Sequence, residues 1–168
     1  MMVPRGLSGP GMPTALTLDV TDIAIAESKL NRVSSANPNN WLSLADCYNT
    51  GYAKCVKYNA LLRSEMGAAE REARMMKAHM TTSKLASFLK EYGLQDSRDA
   101  REALYLGDPR YVEALDKIAA LAAAIELFEA KAKAFTNAYQ AVKKIADDRS
   151  NSWFKGSIPD GNGGEDVT

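Results

Sequence analysis

Histidine, cysteine and long apolar runs are what this chain has least of. Its one histidine is His79 and its two cysteines are Cys47 and Cys55. No Cys/His set exists to hold a structural or catalytic zinc, so no metal is expected. Eight residues along one helix would place the two thiols ~12 Å apart, too far to bond to each other. They read as small buried hydrophobes of a reducing compartment, and with no apolar signal region near Arg5 the expectation is a cytoplasmic protein. No apolar run approaches the ~18 residues of a membrane span. The sequence lacks GxGxxG, a P-loop, GxSxG and HExxH, so neither a cofactor nor enzymatic activity is expected. Nor is there an excess of either charge: Lys+Arg is 21 and Asp+Glu is 21 in 168 residues. A polyanionic partner would therefore have to meet a local patch, not a global field.

What is present is helical pattern. Hydrophobic residues make up 46% of the chain and charged residues 25%, enough for a core in one domain. Residues 1–16 carry Pro4, Gly6, Gly9, Pro10, Gly11 and Pro13 and are expected to be disordered. Residues 17–33 suit a short amphipathic helix with Asp19 as N-cap. Asn37-Pro38-Asn39-Asn40 is a turn. From Trp41 a heptad seam runs through Tyr48, Tyr52, Cys55, Asn59, Leu62, Met66, Ala69, Ala73, Met76 and Met80. Asn59 is its polar member, a type of residue that fixes register or oligomeric state. Gly51 and Gly67 each weaken this helix by roughly 1 kcal/mol against alanine. After Met80 the apolar set shifts to Leu85, Phe88, Leu89 and Tyr92, which predicts a bend, and Gly93 is a natural stop. Asp96 or Ser97 can cap a short helix through Leu104. Gly107-Asp108-Pro109 ends that helix and starts another.

The last helical pattern is the cleanest. Tyr111, Ala114, Ile118, Leu121, Ile125, Phe128, Ala132, Phe135, Tyr139, Val142 and Ala146 follow in steps of three and four. No segment shows strand alternation. The fold expected is all-α: a long antiparallel helical hairpin with short accessory helices in one domain, 17–154, followed by a disordered acidic tail, 155–168. Two long helices leave a face of each uncovered, and copies of the same chain are the natural cover. Ile118, Leu121, Ile125, Phe128, Phe135, Tyr139 and Val142 are the oligomerisation residues on this reading.

The neutral total hides a division of charge. Residues 51–90 hold Lys54, Lys57, Arg63, Arg71, Arg74, Lys77, Lys84 and Lys90 against Glu65, Glu70 and Glu72, net +5. Residues 91–128 are net −4 and residues 129–155 net +3. Arg63, Lys77 and Lys84 share one heptad position beside the seam, and Lys57, Arg71 and Arg74 point further out. Repeated in a bundle they would form a basic band suited to a phosphate backbone. Solvated surface cations with helical pairs such as Glu70 to Arg74 are the plainer alternative. Tyr48, Tyr52 and Tyr58 lie near Lys54 and Lys57, where aromatic rings could stack single-stranded bases. Tyr48 and Tyr52 belong to the seam, which leaves Tyr58 as the freer ring. His79 also lies off the seam, as a surface or polar-contact residue.

Over residues 41–150 the order of elements resembles the UvsY-like recombination mediators of tailed phages. The likeness is carried by the Tyr-bearing basic helix, Asp96-Ser97-Arg98-Asp99 leading to Leu104, and the Gly107-Asp108 break. It continues in the final helix with Ile118, Leu121 and Ile125, then Phe135-Thr136-Asn137, Tyr139 and Val142-Lys143-Lys144-Ile145. The family's DNA-binding stretch, apolar-Lys-Ala-Arg-apolar, corresponds here to Met76-Lys77-Ala78-His79-Met80. Lys77 matches, and His79 replaces the arginine, so full charge there needs low pH. The resemblance implies a ring-like homo-oligomer that binds single-stranded DNA. Such a protein helps a RecA-like recombinase displace single-strand-binding protein, in the host cytoplasm if the chain is phage-encoded. The candidate contacts are Lys54, Lys57, Tyr58, Arg63, Arg71, Arg74, Lys77, His79 and Lys84. A structural or adaptor coiled-coil protein without a nucleic-acid role is the alternative.

Overall fold

Local capping chemistry sets several of the helix boundaries in the second half of the chain. In the computed structural model, which describes residues 2–4, 15–32 and 40–155 and the side chains of 18–32 and 40–148, the order is β1 (Met2–Pro4), β2 (Ala15–Thr17), α1 (Thr21–Lys29), a 3-10 turn (Leu30–Arg32), α2 (Trp41–Ser83), α3 (Leu85–Tyr92), α4 (Arg98–Leu106) and α5 (Pro109–Lys155). β1 and β2 pair antiparallel with Met2 opposite Thr17, Val3 opposite Leu16 and Pro4 opposite Ala15. Three residues are too few to show alternation; the pair falls almost wholly in residues 1–16, the segment expected to be disordered, and the other described elements are helical, as expected. The remainder of the segments expected to be disordered lies outside the described residues. The first helix starts at Thr21, not after Asp19.

The interruption after α2 has a visible cause. Thr81 Oγ1 donates to the Lys77 carbonyl (2.8 Å), Thr82 Oγ1 to that of Ala78 (3.0 Å) and Ser83 Oγ to that of His79 (2.7 Å). Hydroxyls that bond back into the preceding turn bend a helix. Lys84 then leaves helical geometry at φ −119°, ψ −20°. Gly93 ends α3 at φ 64°, the one left-handed residue among those described. Ser97 Oγ accepts the Ala100 N–H (3.1 Å) and caps α4, deciding between the two expected caps. Asp108 Oδ1 accepts the Arg110 N–H (3.1 Å) at the start of α5, with Pro109 as its first residue.

The chain groups into two compact units, and each long helix contributes to both. The first comprises residues 1–20 and 54–131. Within it α2 and α5 run antiparallel, and Ala73 and Met80 form a core with Leu85, Leu104, Tyr111 and Ala114. Met76, Phe88, Leu89, Tyr105, Leu115 and Ile118 pack around that core. Nearer the start of the α2 segment, Tyr58 sets its ring edge-on against Phe128, 5.7 Å between centroids. The second unit comprises residues 21–53 and 132–168. There α1 crosses α2 at Gly51, where an added Cβ would lie 2.7 Å from the Ala26 Cβ and 3.0 Å from Phe135 Cε2. Tyr48 closes the crossing by donating to the Lys29 carbonyl (2.6 Å), and burial raises its phenol pKa.

Two expectations about the seams change. In the first part of α2 the buried line runs Leu44, Tyr48, Gly51, Cys55, Tyr58 and Leu62, whereas Tyr52 is exposed and Asn59 half-buried. The core takes Gly51 and Tyr58 in place of their C-terminal neighbours. On α5, Leu121, Ile125, Phe128, Phe135 and Val142 are buried by the chain itself, and Ile118 and Tyr139 are half-buried. Five of the seven residues expected as the oligomerisation surface are thus buried within one chain.

Candidate nucleic-acid interface

Helical geometry spreads the α2 cations over more than one face. Arg63, Lys77 and Lys84 lie along the flank turned toward α4 and α5, and each already has a partner there. The Arg63 guanidinium donates to Glu129 Oε1 at 2.5 Å. The Lys84 ammonium donates to Asp108 Oδ2 at 3.1 Å. Lys84 and the Arg110 N–H together hold the Asp108 carboxyl below its ordinary range. The Lys77 ammonium stands over the rings of Tyr105 and Tyr111, 5.3 Å from each centroid. Its pKa is raised, chiefly by hydrogen bonding to Tyr111. Thr81 Oγ1 and the Tyr105 hydroxyl are 2.7 Å apart and hold that ring in place.

The outward face is different. Among the described residues, Lys57, Arg71 and His79 make no ion pair or hydrogen bond through their side chains, and all three are exposed. Arg74 is exposed and only reaches back to the Glu70 carbonyl, at 3.3 Å. Lys54 is half-buried. Lys57 and Arg71 are two heptads apart and so lie on nearly the same line of the helix, and Arg74 follows Arg71 by one turn. From Lys57 to Arg74 the helix rises about 25 Å, long enough to meet several phosphates of an extended strand.

Tyr58 is not available for stacking, contrary to the expectation. It is buried, its ring packs on Phe128 and its hydroxyl donates to the Asp19 carbonyl. The buried face of α2 runs one residue ahead of the Tyr52–Asn59 seam at this point, which places Tyr58 inside. The expected interface therefore divides into an outward set (Lys57, Arg71, Arg74 and His79), an engaged set (Arg63, Lys77 and Lys84), the half-buried Lys54 and the core residue Tyr58.

One feature of this region was not anticipated. A cleft of about 450 Å³ opens beside Lys77, lined by Asp96, Ser97, Arg98, Arg101, Glu102 and Tyr105. Arg101 grips both carboxylate oxygens of Asp96 at 2.7 and 2.6 Å across the start of α4. That pairing holds Asp96 below its ordinary pKa and raises that of Arg101. A sequence signal for the pair existed in the alternation of sign through Asp96, Arg98, Asp99, Arg101 and Glu102. It does not say which charges meet.

Among the described residues no group of three or more His, Cys, Asp or Glu side chains is placed to hold a metal ion. No described helix is long and apolar enough to cross a membrane. The chain matches no known protein-family model, no curated protein and no solved structure.

Proposed function

We propose that this protein is a non-enzymatic single-stranded DNA-binding recombination mediator, acting through the outward face of α2. The observation that carries this reading is the line of exposed cations Lys57, Arg71 and Arg74, which no carboxylate among the described residues neutralises. Exposed guanidinium and ammonium groups on a rigid helix neutralise phosphates and displace counterions without reading sequence. That chemistry suits a protein that must act on any single strand. The resemblance over residues 41–150 supplies the biological setting: self-association and assistance to a RecA-like recombinase against single-strand-binding protein. Because the α5 seam is internal, self-association falls to exposed apolar side chains. Leu61, Met75 and Leu127 of the first unit are 40%, 72% and 48% exposed.

The test is a titration of single-stranded DNA at several salt concentrations. Affinity should fall with salt at a log–log slope of about −0.7 for each phosphate contacted. Replacing Arg71 and Arg74 with alanine should weaken binding equally for all sequences and flatten that slope by about one to two contacts' worth, with helicity retained. Absence of binding at ~50 mM salt overturns the proposal. It would leave a structural or adaptor role for the helical fold.

A further inference from the structure

We propose that Arg63, Lys77 and Lys84 form a second, latent phosphate-binding row, held occupied by Glu129, Tyr105, Tyr111 and Asp108 and released when a single strand lies along α2. The proposal rests on the DNA-binding reading above and adds a built-in competition to it. Three observations carry it. First, Arg63 and Lys77 are two heptads apart, about 21 Å along α2, and Lys84 follows one heptad later just past its end, on the same flank, so they form a line and not a scatter. Second, each is held by a group that resembles what a phosphate offers a cation. Two are held by carboxylate oxygens and one by the electron-rich faces of two tyrosine rings. Third, the two ion pairs reach solvent. The side chains of Arg63 and Glu129 are 60% and 49% exposed, and those of Lys84 and Asp108 52% and 22%.

Exposed pairs of this kind are weak, so a phosphate can exchange for the carboxylate at little net cost. The row also borders the outward face: Arg74 precedes Lys77 by one turn, and residues three apart are neighbours on a helix surface. A strand resting on Arg71 and Arg74 therefore lies beside Lys77. Each further cation it captures has to be surrendered by α4 or α5. Binding is then coupled to the strength of the α2–α5 and α2–α4 contacts in this unit.

The experiment uses the full chain and an oligothymidylate probe. Glu129→Gln removes the partner of Arg63 and should tighten binding about two- to five-fold, the affinity equivalent of one exposed ion pair. It should also steepen the salt slope by about 0.7, one additional phosphate. Glu126→Gln removes the same charge one turn away without touching Arg63, so it reports the general effect of charge. The double variant Glu129→Gln with Arg63→Ala should lose the gain. Asp108→Asn should behave like Glu129→Gln through Lys84, and provides a second reading if one variant folds poorly.

If the parent binds and Glu129→Gln and Asp108→Asn match Glu126→Gln in both affinity and slope, the latent row is overturned and the three contacts are purely structural. A parent that binds no single-stranded DNA overturns the underlying reading as well, so the two failures are distinguishable.

Discussion

Gly51 and Gly67 stand in the same helix and call for opposite responses to the same substitution. In a helix interior alanine is favoured over glycine by about 0.8–1.0 kcal/mol, because glycine loses more backbone freedom on folding. At Gly67 the nearest atom to an added Cβ is Arg71 Nη1 at 3.6 Å, an ordinary contact with a flexible side chain. Gly67→Ala should therefore stabilise the protein by about 1 kcal/mol, or roughly 2–4 °C in Tm for a chain of this size. At Gly51 the same methyl group would lie 2.7 Å from the Ala26 Cβ and 3.0 and 3.1 Å from the Phe135 ring. Neither neighbour can yield cheaply. The Ala26 Cβ is fixed to the backbone of α1, and the Phe135 ring is fully buried. Carbon atoms rest at about 3.5–4.0 Å, so α1 would have to move away by close to 1 Å. Overpacking of this kind costs about 1–3 kcal/mol and outweighs or cancels the propensity gain. Gly51→Ala should be neutral to about 2 kcal/mol destabilising, and the two variants should differ by about 1–3 kcal/mol. Urea unfolding followed by circular dichroism measures this, with unchanged m-values confirming that stability alone has moved. Adding Ala26→Gly should recover part of the Gly51→Ala loss, as expected of residues in direct contact. A Gly51→Ala protein as stable as Gly67→Ala would refute the placement of α1 over Gly51.

Two further predictions concern single groups. Among the described residues Asn59 Oδ1 is buried with no hydrogen-bond partner, so Asn59→Leu should raise the urea midpoint by the equivalent of about 1 kcal/mol, and a lowered midpoint would show that the amide is satisfied. Asp108 has a depressed pKa in the fold, through Lys84 first and the Arg110 N–H second. Its stabilising contribution is present above the unfolded value near pH 4 and is lost as pH falls through the lower folded value. Asp108→Asn should therefore flatten the acid limb of the stability profile below about pH 4, and an unchanged limb would count against the pairing with Lys84.

The parts of this fold legible in the sequence are those governed by neighbours along the chain. The cap at Ser97, the stop at Gly93 and the Gly107-Asp108-Pro109 break obey chemistry that spans a few residues. The bend after Met80 was visible as a shift in the apolar set, and its cause is the run of hydroxyls at Thr81, Thr82 and Ser83. The α5 pattern was legible because all eleven of its positions are apolar, and the one turn where burial departs from it is Ala138, buried in place of the half-buried Tyr139. In α2 two phases compete, one through Tyr52 and Asn59 and one through Gly51 and Tyr58. Counting apolar residues favours the first at position 52, since a glycine contributes nothing to such a count. Packing decides for the second, because the absence of a side chain is what allows Ala26 and Phe135 to approach. The polar Asn59, beside an aromatic Tyr58, was the available clue that the phase was wrong. The cation row could not be resolved in the same way. Arg63 and Glu129 are 66 residues apart, and charge arithmetic by segment records them as a positive helix and a separate acid. Only the antiparallel alignment of α2 and α5 turns two surface charges into one occupied site.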